Sequence, residues 1–148
     1  MVASAAVPLD VLYERDETAW LEAMAALAAE GRLSELDGRN LSEYLADMAK
    51  RDRREVFSRL VVLLTHLLKW DHQPQHRPAS WRGTIREQRR ELRQLLESGT
   101  LRNHAEAVLA EAYAEARDQA ADETELPVET FAVDCPWSLA DATGEDAA

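Results

Sequence analysis

Apolar residues return every three or four positions through most of this chain, and no stretch of useful length alternates with the period of two that a strand requires. Over residues 10–30, Tyr13, Trp20, Met24 and Leu27 fall on one stripe with alanines beside it. The spacing predicts a first helix, capped by Asp10 and stopped at Gly31. After a turn through Ser34, Asp37 and Gly38, Asn40 is placed to cap a second helix over 41–70. Its stripe is Leu41, Leu45, Met48, Val56, Leu60, Leu63, Leu67 and Trp70. The polar run Lys50, Arg51, Asp52, Arg53 and Arg54 interrupts that stripe. The pattern leaves open whether the helix breaks there or continues as one unusually long element.

Pro74 and Pro78 make the next segment an extended connection, because proline lacks an amide donor and clashes with the preceding helical turn. Ser80 is expected to cap a third helix over 81–97, with Trp81, Ile85, Gln88, Leu92, Leu95 and Leu96 inward and Arg82, Arg86, Arg89, Arg90 and Arg93 elsewhere. A fourth helix over 101–123 carries Leu101, Ala105, Val108, Leu109, Ala112, Ala116 and Ala120, a face small enough for close approach of a neighbour. Beyond Pro127, the tail residues Phe131, Cys135, Pro136, Trp137 and Leu139 are apolar enough to dock on the helices.

The expected architecture is all-α: an up-down four-helix bundle with a docked C-terminal tail, forming a single domain over 10–140 with flexible ends at 1–9 and 141–148. Such a bundle gathers a polar cluster at one pole. Tyr13, Glu14, Arg15 and Asp16 come from the first helix, His66, Lys69 and Trp70 from the second, Trp81, Arg82, Arg86 and Arg89 from the third, and Glu115, Asp118 and Asp122 from the fourth. Trp137 joins them if the tail folds back.

Charge sharpens this picture. The 148 residues hold 17 basic and 28 acidic side chains, a net charge of −11. Residues 1–49 hold 3 basic and 10 acidic groups, 50–102 hold 13 and 6, and 103–148 hold 1 and 12. The basic middle is therefore expected to pair internally with its acidic flanks, and acids from Glu14 or Asp16 and from Asp118 or Asp122 are expected within ion-pair reach of Arg82, Arg86 or Arg89. A phosphate-binding face is the alternative reading of the same arginines. No run approaches the roughly 20 apolar residues of a membrane span. Residues 1–9 carry no basic stretch ahead of their alanines, so a cytoplasmic location is expected.

In the same polar clusters the chain resembles the bacterial domain of unknown function family twenty-nine, whose members are abundant in cyanobacteria. The resemblance rests on Tyr13-Glu14-Arg15-Asp16 with Trp20-Leu21, Glu35-Leu36-Asp37, Asn40-Leu41 and His66-Leu67-Leu68-Lys69-Trp70. It continues through Ser80-Trp81-Arg82, Thr84-Ile85-Arg86-Glu87-Gln88-Arg89, Tyr113 to Arg117, Glu123-Thr124 with Leu126-Pro127, and Cys135-Pro136-Trp137-Ser138-Leu139. It implies an all-helical fold and no assigned activity. Tyr44 and Ala46 stand where the family commonly has acids, and Glu17 stands where it often has an aromatic residue.

Candidate chemistry is sparse. His66, His72 and His76 lie close in sequence with Asp71, but His72 and His76 flank Pro74, so helical metal-ligand spacing is absent and no metal is assigned. His66 sits among Leu63, Leu64, Leu67 and Leu68 and is expected to hydrogen-bond a carboxylate, hydroxyl or carbonyl, with Glu14 or Glu87 as candidate partners. Glu43 is excluded because 23 helical residues separate it from His66, about 35 Å at ~1.5 Å each. Cys135 has no histidine in its segment to activate it, and no glycine pattern of a nucleotide cofactor loop occurs. No catalytic residue and no cofactor are assigned. The expected function is a non-catalytic protein-interaction module, its partner another protein or a second copy in a homodimer, with nucleic acid disfavoured and no membrane partner. The alternatives are a nucleic-acid or anion binder through the arginines of the second and third helices, and a metalloprotein or enzyme at the pole containing His66.

Overall fold

A computed structural model describes residues 7–145, and every regular element among them is helical. The order is α1 (Leu9–Arg15), α2 (Glu17–Ala29), a 3-10 turn at Leu33–Glu35, α3 (Gly38–His72), α4 (Ala79–Leu95), α5 (Gly99–Thr124), a second 3-10 turn at Val128–Thr130, and α6 (Leu139–Thr143). No helix among the described residues is long and apolar enough to cross a membrane.

The first predicted helix is two helices. At Asp16 the backbone leaves helical geometry (φ −151°, ψ 82°), and the carboxylate accepts the Ala19 amide at 3.1 Å, capping α2. A short acidic side chain satisfies an otherwise unpaired first-turn donor there, and the apolar stripe runs on through the break and hides it. Asp10 and Ser80 lie inside the first turns of α1 and α4, so neither is a cap. Those helices start behind Pro8 and Pro78 without a side-chain cap. Asp37 takes the capping place expected of Asn40, accepting the Asn40 amide at 3.4 Å. The polar run at 50–54 leaves α3 unbroken over 35 residues, since it contains no glycine or proline to interrupt the backbone ladder.

Contacts along the chain define two compact units, Met1–Lys50 and Arg51–Ala148. The first is organised around the fully buried Trp20. Tyr13 meets it edge-on at 4.7 Å, Tyr44 lies 5.8 Å away, and its indole N–H donates to Asp37 Oδ2 at 3.2 Å. Gly31, at φ +72°, supplies the left-handed residue that ends α2.

In the second unit α3 contributes Val56, Leu60, Leu63, Leu64 and Leu68 to a core closed by Leu92 of α4 and Leu96 just after it. The small face of α5 (Ala105, Ala112, Ala116 and Ala120) is fully buried, and the tail docks through Phe131, Leu139 and Ala142. Tyr113 donates to the Ala132 carbonyl at 2.6 Å and Arg117 to that of Phe131 at 3.0 Å. Helix α6, Leu139–Thr143, runs into the segment from 141 that was expected as a flexible end. Ala142 and Thr143 are buried there, and Glu145 is paired to Arg102 at 2.7 Å. Of the two expected flexible ends, residues 1–6 and 146–148 lie outside the described residues.

Ala116→Leu should destabilise the protein by about 1–3 kcal/mol, the usual cost of overfilling a closed packing site. Urea unfolding monitored by circular dichroism measures it, and an unchanged midpoint would show that this α5 face is not tightly packed.

Candidate functional site

The expected polar cluster falls in both units. In the first, Tyr13 packs on Trp20, and Asp16 is the α2 cap. Glu14 lines an acidic depression with Asp10, Asp37, Arg39 and Glu43. Partial burial, then the charges of Glu43 and Asp47, push the Tyr13 phenol above its ordinary value. Burial pushes the Asp37 carboxyl up, but hydrogen bonds from Asn40 and Trp20 outweigh it and hold the group below its ordinary value.

In the second unit His66 is half-buried, and its Nδ1 donates to the Val62 carbonyl at 2.8 Å. The partner is a carbonyl one turn back on the same helix, which corrects the expectation of Glu14 or Glu87. His72 makes the same type of bond to Leu68 at 2.9 Å, and His76 stands edge-on to Trp81 at 5.5 Å. Among the described residues, no three of His, Cys, Asp and Glu converge as metal ligands would. Lys69 is 8 % exposed, with its ammonium 4.7 Å over the Trp81 ring and 3.7 Å from Glu123. The fourth predicted helix thus does supply an acid, but it is Glu123, one position beyond Asp122. Asp118 and Asp122 are exposed.

Arg82, Arg86 and Arg89 make no ion pair within 4.0 Å among the described residues, nor does Arg93, so within the second unit the pairing expected with Asp118 or Asp122 is not made. The α4 carboxylate Glu91 is engaged by Arg59 and Arg90 instead. Arg89 and Arg93 turn to the end of α6, donating to the carbonyls of Ala142 at 2.9 Å and Thr143 at 3.0 Å. These are the carbonyls a short helix leaves unpaired.

Two cavities adjoin this row and share Arg82, Ile85 and Arg89. The first, of about 350 Å³, is lined also by Leu67, Trp70, Asp71 and Trp137. The second, of about 300 Å³, is lined also by Arg86, Arg93 and Gly144. Trp70 lies under the guanidinium of Arg77 at 4.7 Å and near that of Arg82 at 6.0 Å. Burial, then the like charge of Arg93, pushes the Arg89 guanidinium below its ordinary value, though an arginine stays charged at neutral pH. Burial raises the Cys135 thiol above its ordinary value, and the S–H donates to the Trp137 carbonyl at 3.3 Å.

The structure therefore brings together Trp70, Arg82, Arg86, Arg89 and Trp137 from the expected pole and leaves His66 on its own helix. Sequence reasoning missed Leu67, Asp71, Ile85 and Arg93 as members of this site. Arg93 was legible, being one turn beyond Arg89 on the same face. Asp71 was read only against its neighbouring histidines.

Gly144 lines the second cavity, and the Arg102–Glu145 pair holds the residue next to it. Hydrogen bonds from Arg102 at 2.7 and 3.2 Å hold the Glu145 carboxyl below its ordinary 4.5. Its contribution is therefore complete above about pH 4.5 and lost as pH falls through the lowered value. Arg102 is 39 % exposed, so solvent screening limits the pair to under about 1 kcal/mol. In urea unfolding, Glu145→Gln should be less stable than wild type near neutral pH, with the difference shrinking as pH falls below about 4.5 and through the lowered value. A difference independent of pH would assign the effect to packing instead.

The family model described as Domain of unknown function DUF29 matches residues 12–147. No curated protein and no solved structure gives a significant match. The match extends from α1 through the docked tail that completes the cavity, and the chain belongs to the DUF29 family.

Proposed function

We propose that this protein is a binding module for a small anion, held in the groove between α4 and the docked tail. The observation that carries the reading is the row Arg82, Arg86, Arg89 and Arg93, which follows one face of α4 and makes no ion pair within 4.0 Å among the described residues, with the charge of Glu145 felt at Arg93 alone. A chain with 28 acidic side chains has ample means to neutralise four guanidiniums. Arg82, Arg86 and Arg93 are exposed and screened by water, whereas Arg89 is half-buried beside the like charge of Arg93, and there a missing counter-charge is costly. A bound anion supplies it, and the guanidinium fork suits phosphate or carboxylate oxygens.

The acidic surroundings favour a small ligand over a polynucleotide. Residues 103–148 carry 12 acidic groups against one basic, and a long polyanion would meet their repulsion. The lining offers cations, apolar surface and the single carboxylate of Asp71, a set suited to binding without an acid–base pair. A protein partner or a homodimer draws on exposed apolar residues such as Leu33 and Leu45, 64 % and 58 % exposed. Isolated exposed leucines are ordinary on monomers, so the arginine groove is the stronger ground. The up-down arrangement of four helices is not required here, because every residue of the site belongs to the second unit.

Inorganic phosphate or pyrophosphate should raise the melting temperature above that in chloride of equal ionic strength. At a hundred times the dissociation constant, the stabilisation is about 2.7 kcal/mol, a rise of several degrees. The double variant Arg82→Ala, Arg86→Ala should fold and lose most of that rise. Equal responses in wild type and variant would place the anion elsewhere, and no response would end the reading.

A further inference from the structure

We propose that the cavity beside the first half of α4 takes a nucleoside monophosphate, with phosphate on Arg82 and Arg89 and the base beside Trp137 and Ile85. The proposal rests on the anion-binding reading and specifies its ligand. The two adjoining cavities differ in character: Leu67, Trp70, Ile85 and Trp137 make one end apolar and aromatic, and Arg86 and Arg93 make the other cationic. A ligand that fills both is amphipathic, with a flat apolar body and a compact group of high negative charge. The multiple guanidiniums favour a phosphate dianion over a single carboxylate. The aromatic cavity, about 350 Å³, sits at the lower end of the ~300–1,000 Å³ typical of small-ligand sites and suits one ring system with its sugar.

Asp71 narrows the choice. It lines the aromatic cavity and makes no ion pair with Arg82 or Arg89, so its carboxylate is available to accept from a ligand N–H or O–H. A base amino group or a ribose hydroxyl provides that donor, and a phosphorylated phenyl ring does not.

Calorimetric titration of the full chain with AMP, GMP, CMP and UMP, ribose 5-phosphate, phenyl phosphate and inorganic phosphate tests the assignment. At least one nucleotide should bind about tenfold more tightly than ribose 5-phosphate, the worth of a modest base–aromatic contact. Trp137→Leu keeps an apolar group in the tail and should lower nucleotide affinity about tenfold while leaving inorganic phosphate binding unchanged. Arg82→Ala should weaken both. Nucleotides binding no better than ribose 5-phosphate, or phenyl phosphate binding as well as any nucleotide, would overturn the inference. Phosphate binding that depends on Arg82 would leave the anion reading standing, and its absence would fell both.

Discussion

From Leu60 to Lys69, α3 is buried on almost every face: Leu60, Val61, Leu63, Leu64, Thr65, Leu67, Leu68 and Lys69 are all withdrawn from water. A surface helix hides one stripe, whereas this stretch needs neighbours all round, and each leucine so covered contributes about 1.5–3 kcal/mol. The alanine face of α5 lets that helix come close, and Leu92, with Leu96 at its C-cap, brings α4. The tail then joins the same core through Phe131, Leu139 and Ala142. The polar members of the stretch are satisfied locally: the Thr65 hydroxyl donates to the Val61 carbonyl at 2.7 Å, and Lys69 reaches Glu123.

Covering α3 with an irregular tail brings main-chain carbonyls against the helices, and such groups require donors. Tyr113, Arg117, Arg89 and Arg93 provide them. Two arginines of the candidate groove therefore also hold the segment that forms its wall. The same docking brings Trp137 into the cavity lined by Arg82 and Arg89.

Charge segregation is resolved only in part by folding. Lys69–Glu123 and Arg102–Glu145 join the basic middle of the chain to its acidic end. The α4 row stays outside that arrangement, because Glu91 is taken by Arg59 and Arg90 while Arg89 and Arg93 face the end of α6. Unlike charges in neighbouring sequence blocks need not meet, since side-chain direction on each helix decides which partners lie within reach.

By itself, the sequence determined the helical class, the long apolar run of α3, the small face of α5 and the docking of an apolar tail. Each is written in local periodicity or composition, and burial rewards the pattern wherever neighbours arise. It also displayed the arginines of α4 at helical spacing, though not their partners. Tertiary structure alone decided that Asp16 restarts a helix, that His66 bonds its own backbone, and that Glu123 rather than Asp118 or Asp122 answers a basic residue. It alone placed Asp71 and Trp137 with Arg82 and Arg89. These are contacts between residues distant in sequence or choices among competing polar partners, separated by a kcal/mol or so. Periodicity records which side of a helix is apolar, while distance and direction after packing select the polar partner.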